Sequence, residues 1–379
     1  MKALAPFVRA TPFHARAAEA NRGNAWSARN GVTLATVYSS AEDEALAARL
    51  RVAMADISWR WRLSLEGDGV ADLVSRLFTR DVSKLSPGQS LKALWLTDGG
   101  AVRGAGLVAR YGRDRYLVAA SEPDAGWFAF AANAFEATAR DISDDEGGLA
   151  IVGAYAQSVL ERAGIDTALE PLQFRKLFWR GLDVTLSRWG EHGGYEIWCK
   201  PDDGILVWDR IARAGAAFDI LPMGLAAMDL LDLEAGIARP GRDYQAARDG
   251  FATVPTPASL GLERLVDSDH TEFNGRAAWL AGCGAERQTL VGIEIDAHRP
   301  APHTPLLLGE RKVGQTLNSH YSPALRRAIA LAQVERSAAE TGTSLSLTLS
   351  SDRETPDFRT VTARVVALPF LPAPDSMAP

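Results

Sequence analysis

What the chain lacks narrows the field before any motif is considered. Only two cysteines occur in 379 residues, Cys199 and Cys283, far apart and each without a second cysteine nearby, so neither a disulfide framework nor a thiolate metal cluster is supported. The six histidines (His14, His192, His270, His298, His303 and His320) include no HExxH or similar ligand spacing. His298 and His303 fall in the proline-rich turn HRPAPH and read as solvated loop residues. No GxGxxG follows a strand pattern and no GxxxxGK[ST] is present, which leaves dinucleotides and nucleoside triphosphates without a motif. Basic excess is missing as well: the formal net charge is −6, which argues against a nucleic-acid partner. No apolar run approaches the roughly 20 residues that span a bilayer. The first 19 residues hold no sustained hydrophobic segment ahead of a small-residue cleavage site. These absences lead us to expect a cytoplasmic protein that binds neither membrane nor nucleic acid.

What is present reads as an α+β chain long enough for two or three domains. Thr33–Tyr38 is β-branched and bounded by Gly31 and Ser39, as a strand should be. Residues 41–54 suit a helix, with Ser40 as N-cap, acidic residues in the first turn, and Leu46, Leu50 and Met54 spaced by four. The run Asp56–Leu65, in which Trp59 and Trp61 alternate with Arg60 and Arg62, predicts one strand with either a wet face or a cavity-facing one. Helices are expected over Val70–Thr79, Trp127–Ala137, Gly204–Gly215 with Gly215 at C′, and 221–236. In the last of these, Asp229, Asp232 and Glu234 interrupt an apolar pattern. Gly99 and Gly100 mark a hairpin after the strand Leu91–Leu96, returning through Leu107–Ala109 and Tyr116–Ala120. The acidic patch Asp141–Glu146 before two glycines marks a boundary, and Leu290–Ile295, Ser344–Leu349 and Thr360–Leu368 have the composition of barrel strands.

The most informative stretch is Val184–Trp198, VTLSRWGEHGGYEIW. A strand pattern breaks into a glycine-dense turn, and a second, aromatic strand follows. Gly190, Gly193 and Gly194 permit positive φ and let a flat ligand approach the backbone. Trp189 offers a π face, His192 a proton near neutral pH, and Glu196 a carboxylate able to accept two parallel bonds from an amidine-like edge. A plain hairpin, with Trp and Tyr anchoring the core and Glu facing water, is the simpler alternative on composition alone.

This segment resembles the pterin-binding strand of the folate-dependent aminomethyltransferases, the glycine-cleavage T-protein and its relatives, where a Gly-Tyr-Glu-Ile-type run supplies the pterin-binding glutamate. Its Trp-x-x-x-Gly-Gly-Tyr-Glu form is closer to the dimethylsulfoniopropionate demethylase branch. Other stretches are similar in order and spacing: Tyr38–Glu44 (YSSAEDE), Met54–Ser58 (MADIS), Leu77–Gln89 (LFTRDVSKLSPGQ), Gly224–Gly236 (GLAAMDLLDLEAG), Leu290–Ile295, Tyr321–Leu325, Ile329–Ala332 and Ala367–Leu371. The resemblance implies three domains around a central tetrahydrofolate channel: residues 1–143 with about 220–280, residues 144–219, and a C-terminal β-barrel over 281–379. It makes Glu196 the pterin ligand, with Trp189 and Tyr195 beside it.

Departures from the family pattern carry the functional expectation. Where T-proteins place an Asp-Asp pair after the Gly-Gly hairpin, this chain has Arg103 and Gly104, so aminomethyl transfer loses its acidic group. The family's Ser-His-Met becomes Ser58-Trp59-Arg60, and the arginine of its Ala-Arg-Asp becomes Met228. The Lys-Gly-Cys-Tyr-type motif of the iron–sulfur-assembly branch is absent. The resulting expectation is a demethylase that moves a methyl group from a small-molecule donor to tetrahydrofolate. His192, Arg60 and Tyr38 are candidates for assisting the leaving group, each alternatively a packing or surface residue. Trp59, Trp61 and Trp95 are candidates for stacking on a flat or onium substrate. Because Arg60 and Arg62 can pair with a carboxylate, methoxylated aromatic acids are favoured as donors. Small zwitterions such as dimethylsulfoniopropionate, and a non-catalytic folate-binding homologue, stay open.

Overall fold

A computed structural model describes residues 8–188, 193–247, 255–282, 286–297, 299–350 and 358–372. The described residues form three sheets and a closed barrel. At the centre lies a six-stranded sheet in the order Phe174–Trp179, Leu182–Ser187, Tyr195–Cys199, Gly147–Val152, Ala53–Asp56 and Leu221–Pro222. Alternation along its strands sends side chains to both faces, and both are apolar. Helices Ala156–Ala163 and Gly204–Gly215 cover one face, where Leu186, Ile197, Cys199, Val207 and Ile211 pack together. Helices Ala41–Leu50 and Leu225–Glu234 cover the other, over Ala55, Ile57, Trp198, Ala227 and Leu231.

The five-stranded sheet runs Ser90–Leu96, Val102–Arg110, Arg115–Ala120, Trp61–Glu66, Thr138–Asp141. Its hairpin turns at Gly99 and Gly100, the latter at φ 78°, as the paired glycines predict. Helices Val70–Leu77 and Ala125–Ala132 close one face over Trp61, Phe78, Trp95 and Phe128. Across that face the Trp95 indole lies over bare backbone. A Cβ on Gly104 would run into the indole ring, and one on Gly106 into the Ala119 carbonyl. Glycine at 104 is therefore a packing requirement of tryptophan at 95.

The run expected to form a single strand over Asp56–Leu65 is two strands instead. Ala53–Asp56 ends where the Asp56 carboxylate accepts the Ser58 N–H (3.0 Å), and the Arg60 N–H then donates to the Ile57 carbonyl (3.0 Å). This local capping competes with the ladder and makes a turn. The chain re-enters a different sheet at Trp61. The turn breaks the alternation, so the two arginines no longer share an environment. Elsewhere the expected helices are present but end earlier, at Leu50, Leu77 and Ala132. Ser40 caps its helix through the Asp43 N–H (3.1 Å). Gly215 lies inside the last helical turn with φ −78°, making room for Ile220, and the left-handed reversal falls on Asp219 instead.

The C-terminal barrel closes in the order Gln288–Ile295, Arg327–Glu335, Arg311–Ser322, Pro305–Leu308, Ser344–Ser350, Phe358–Val366. It meets the rest of the chain at Leu233, which packs on Leu317, Ile329 and Leu331. A buried ion pair reinforces that joint. Glu234 accepts from Arg49 Nε (2.6 Å) and from the Ser322 hydroxyl (2.6 Å), while Arg49 Nη1 reaches the Pro372 carbonyl (3.1 Å). Among the described residues, no helix is long and apolar enough to cross a membrane.

Two outcomes are expected. Glu234→Ala strands the buried Arg49 guanidinium and should cost about 3–5 kcal/mol in urea denaturation; a loss below about 1 kcal/mol would place the pair among interactions of surface strength. Gly104→Ala should cost about 1–3 kcal/mol by overpacking. In a Trp95→Leu background the same change should cost much less, and a coupling energy near zero in that double-mutant cycle would refute the contact.

Candidate functional site

Strand Tyr195–Cys199 pairs with Leu182–Ser187 and Gly147–Val152 on either side, placing Glu196 opposite Ser187 and Ala150. Alternation turns Tyr195, Ile197 and Cys199 into one core and Glu196 and Trp198 toward the opposite face. Glu196 is only 2% exposed, and a carboxylate so deeply buried requires partners. It has two: Arg60 Nη1 donates to Oε1, and the Trp198 indole N–H donates to Oε2 at 3.2 Å. Arg60 comes from the turn that splits the two strands, so the local cap at Asp56 delivers a guanidinium to Glu196, 136 positions away. Gly193 and Gly194, just ahead of the strand, have φ of 76° and 79°, the left-handed backbone expected of them.

Arg60 also borders a cavity of about 310 Å³, at the low end of the usual range for small-molecule sites. Ala105, Gly106 and Leu107 of one strand and Ala119 and Ala120 of the next form one wall; Ile237, Leu260, Leu262, Leu265, Leu290 and Leu368 form much of the rest. The charged residues in the described lining are Arg60, Lys92, Arg239 and Arg264, and that lining contains no aspartate or glutamate. Arg239 is held in place from behind by a two-pronged pair with Asp232 (2.8 and 2.7 Å). A larger cavity of about 1010 Å³ lies between the barrel and the turn around Tyr244 and shares Leu260 and Leu290 with the first. Its lining mixes Arg287 and Arg336 with Glu286 and Glu335, so it favours no sign of charge, and it does not touch Arg60 or Glu196.

The structure brings some of the expected site residues together and separates others. Arg60 and Glu196 meet directly. Trp59 is adjacent in the turn but packs into the core under Arg29, whose guanidinium carbon is 4.7 Å from the ring centroid. Trp61 and Trp95 are core residues, with indole N–H groups bonded to Asp141 (2.8 Å) and Asp124 (3.2 Å); neither borders the 310 Å³ cavity. Arg62 is 1% exposed, stacked 3.8 Å over the Trp198 ring and facing Glu146 at 2.9 Å in an ion pair not aligned as a hydrogen bond. The expectation that Arg62 shares a substrate carboxylate with Arg60 is thus corrected: the turn at residues 57–60 sends it to a separate, closed environment. Tyr195 points into the core opposite Glu196, its hydroxyl 3.4 Å from the Thr167 carbonyl. Tyr38 packs against the same core, and burial, then Asp56 and Glu44, push its phenol well above the usual range. It does not line the cavity either. Trp189 and His192 lie outside the described residues, as do Cys283 and His298.

Arg103 stands where the resemblance expects an acid, and its guanidinium makes a two-pronged pair with Asp124 (2.7 and 2.9 Å) beside Trp127. The space next to it is about 10 Å³, room for one water at most. Lys92, Arg239 and Arg264 were not singled out from the sequence. Lys92 is the lone charge in the otherwise apolar strand Ser90–Leu96, a usable signal, whereas nothing in IARPGRDY distinguishes Arg239, which faces the cavity, from Arg242, which pairs with Asp229 and Asp243.

Comparison with known proteins agrees with this fold. Residues 13–270 match the family described as the GCVT N-terminal domain, and residues 288–371 match the glycine cleavage T-protein C-terminal barrel domain. The aminomethyltransferase of Bacillus pumilus is 28% identical over 351 residues, covering 90% of this chain and 93% of that protein. The trimethylamine-oxide aldolase of Ruegeria pomeroyi is 28% identical over 337 residues, covering 84% of this chain but 42% of its own length. The crystal structure of the glycine cleavage system aminomethyltransferase T from Bartonella henselae superimposes with a TM-score of 0.84 at 21% identity, covering 97% of this chain and 99% of that one, a likeness of fold. With both family domains matched in order and the six-stranded barrel closed behind them, the chain belongs to the glycine-cleavage T-protein family of folate-dependent aminomethyltransferases and their relatives.

Proposed function

We propose that this chain is a tetrahydrofolate-dependent demethylase that moves a methyl group from a methoxylated aromatic acid to N5 of tetrahydrofolate. The observation that carries this reading is the cavity wall: apolar over most of its area, cationic at Arg60, Lys92, Arg239 and Arg264, and free of carboxylates among its described residues. Such a wall suits a flat anion. A sulfonium or quaternary ammonium donor would instead meet like charges in a site of low dielectric, where repulsion is strong. An amine donor would miss the acid that Arg103 replaces, since Arg103 there holds the Asp124 carboxylate in a two-pronged pair.

Enzymes of this family use tetrahydrofolate as cofactor or substrate. Residues present in this chain fit it: Glu196 is a buried carboxylate already engaged with a guanidinium, whose paired N–H donors resemble the amidine edge of a pterin. Bound tetrahydrofolate would supply N5 as the methyl acceptor. The chain's own part is positional and electrostatic. The wall of Leu107, Ile237, Leu260 and Leu265 keeps water from the donor, and holding both reactants at near-attack distance can lower the barrier by about 7–11 kcal/mol. As the carbon–oxygen bond breaks, negative charge collects on the aryl oxygen, and the cations of the wall stabilise it. Arg60 is the one leaving-group candidate among the described residues that borders the cavity.

Incubation with tetrahydrofolate and a panel of methoxybenzoates, onium compounds and methylated glycines tests the reading. Formation of 5-methyl-tetrahydrofolate from methoxybenzoates alone is expected. Turnover of an onium compound or a methylated glycine instead would overturn the aromatic assignment, and folate binding without turnover of any donor would favour a non-catalytic homologue. Glu196→Ala is expected to weaken tetrahydrofolate binding about tenfold or more, from the loss of charge-assisted hydrogen bonds.

A further inference from the structure

We infer that Arg60 is a stand-in for the pterin: its guanidinium occupies Glu196 when folate is absent, is displaced when folate binds, and is thereby handed to the carboxylate of the second substrate. The inference rests on the reading of Glu196 as the pterin ligand. Three features of the described structure lead to it.

First, Arg60 covers Glu196. The arginine borders the cavity and is 19% exposed, whereas the carboxylate is 2% exposed and does not appear in the cavity wall. A ligand reaching Glu196 from this cavity must therefore move the arginine aside. Second, the pairing is partial. Only Nη1 donates to the carboxylate, and the Arg60 side chain has no other described hydrogen-bond partner, so one contact is exchanged when the side chain leaves. The backbone need not follow, since the turn is fixed by the Ser58 and Arg60 N–H bonds (3.0 Å each). Third, the stand-in is needed. A buried carboxylate oxygen left without a donor is strongly unfavourable. The Trp198 indole N–H at 3.2 Å serves Oε2 alone, so without Arg60 or a ligand Oε1 has no described donor.

Once displaced, the guanidinium has one place to go that the described structure shows, the cavity it already borders. Its neighbours there are Lys92, Arg239 and Arg264, with no carboxylate in the described lining to receive it. Arg239 is spoken for by Asp232. Arg60, released from Glu196, adds a cation to that space and raises the affinity for an anion. The two ligands are consequently coupled through one side chain: folate binding builds the anion site, and by reciprocity an anion in the cavity favours the conformation that admits folate.

Titration calorimetry on the full chain tests this, with tetrahydrofolate and with benzoate as an anion that has no methyl group to give. In the wild type, saturating tetrahydrofolate should tighten benzoate binding by about fivefold or more. In Arg60→Met that coupling should fall to about one, and tetrahydrofolate should bind at least as tightly as to the wild type because its competitor is gone. Arg60→Lys, which keeps the charge but loses the planar fork, should show intermediate coupling and serves if Arg60→Met fails to fold, as judged by its thermal midpoint. Weaker tetrahydrofolate binding to Arg60→Met, alongside weaker binding to Glu196→Gln, would overturn the stand-in while leaving Glu196 as the pterin ligand. Unchanged affinity in Glu196→Gln would sink the underlying reading itself. Absence of coupling in the wild type, or its survival in Arg60→Met, would overturn the handover.

Discussion

The structure depends on how carboxylates are neutralised inside an apolar helix. Leu225–Glu234 is buried against the central sheet on one side and the barrel on the other, yet it carries Asp229, Asp232 and Glu234. Each is paired with arginines from outside the helix: Asp229 with Arg29 and Arg242, Asp232 with Arg239 and Arg242, Glu234 with Arg49. Desolvating such groups is expensive, and only geometrically good pairs offset it. The pairs therefore act as registers. They fix the strand Trp26–Arg29, the helix Ala41–Leu50, the turn after residue 236 and, through Ser322, the barrel. The helix is also tied at its start, where the Gly224 N–H donates to the buried Glu44 (2.7 Å), which takes the Tyr38 and Ser39 N–H groups as well.

The character of the cavity follows from that arrangement. Arg239 faces the cavity because Asp232 holds it from behind, and Arg60 faces it because Glu196 does the same. In both cases the cation belongs to the wall and its counter-ion to the protein behind the wall. This separation lets an apolar cavity carry positive groups without the cost of isolated buried charges. On Arg60 only Nη1 is engaged by Glu196, so the rest of its planar fork has no partner among the described residues.

Much of the framework was legible in the sequence, because it rests on local signals. The Gly99–Gly100 hairpin, the Ser40 cap, the hairpin of strands around 187 and 195, and the barrel strands each follow from a few adjacent residues. The apolar helix with three interrupting carboxylates was visible too, though not which arginines meet them, since those partners lie 7 to 200 positions away. The site was less legible. Trp59-Arg60-Trp61-Arg62 has the period of a strand, and the signal that breaks it is a side chain before the run: Asp56 accepts the Ser58 N–H and turns the chain. A one-residue change of direction there decides that Arg60 reaches a cavity while Arg62 is sealed over Trp198. Tyr195 illustrates the opposite case, since alternation alone separates it from Glu196, its immediate neighbour.

The changes from the family pattern are physically linked. An aspartate at 104 is incompatible with the Trp95 indole, which lies against the bare backbone there. Arg103 lies outside the cation-rich wall, beside the separate space of about 10 Å³, and Asp124 absorbs its charge while also taking the Trp95 N–H. Met228, where the family motif carries arginine, is buried among Trp59, Trp198 and Leu231, so a charge at that position would have to be accommodated inside the core. Trp59 in turn occupies that core and leaves Arg60 to extend past it. Large indoles thus fill the volume that polar groups would otherwise hold, and the arginines they exclude are either neutralised, as Arg103 is, or sent to the cavity, as Arg60 is. The described wall of the cavity is left with cations and no carboxylate, while Glu196 lies behind it, engaged by Arg60.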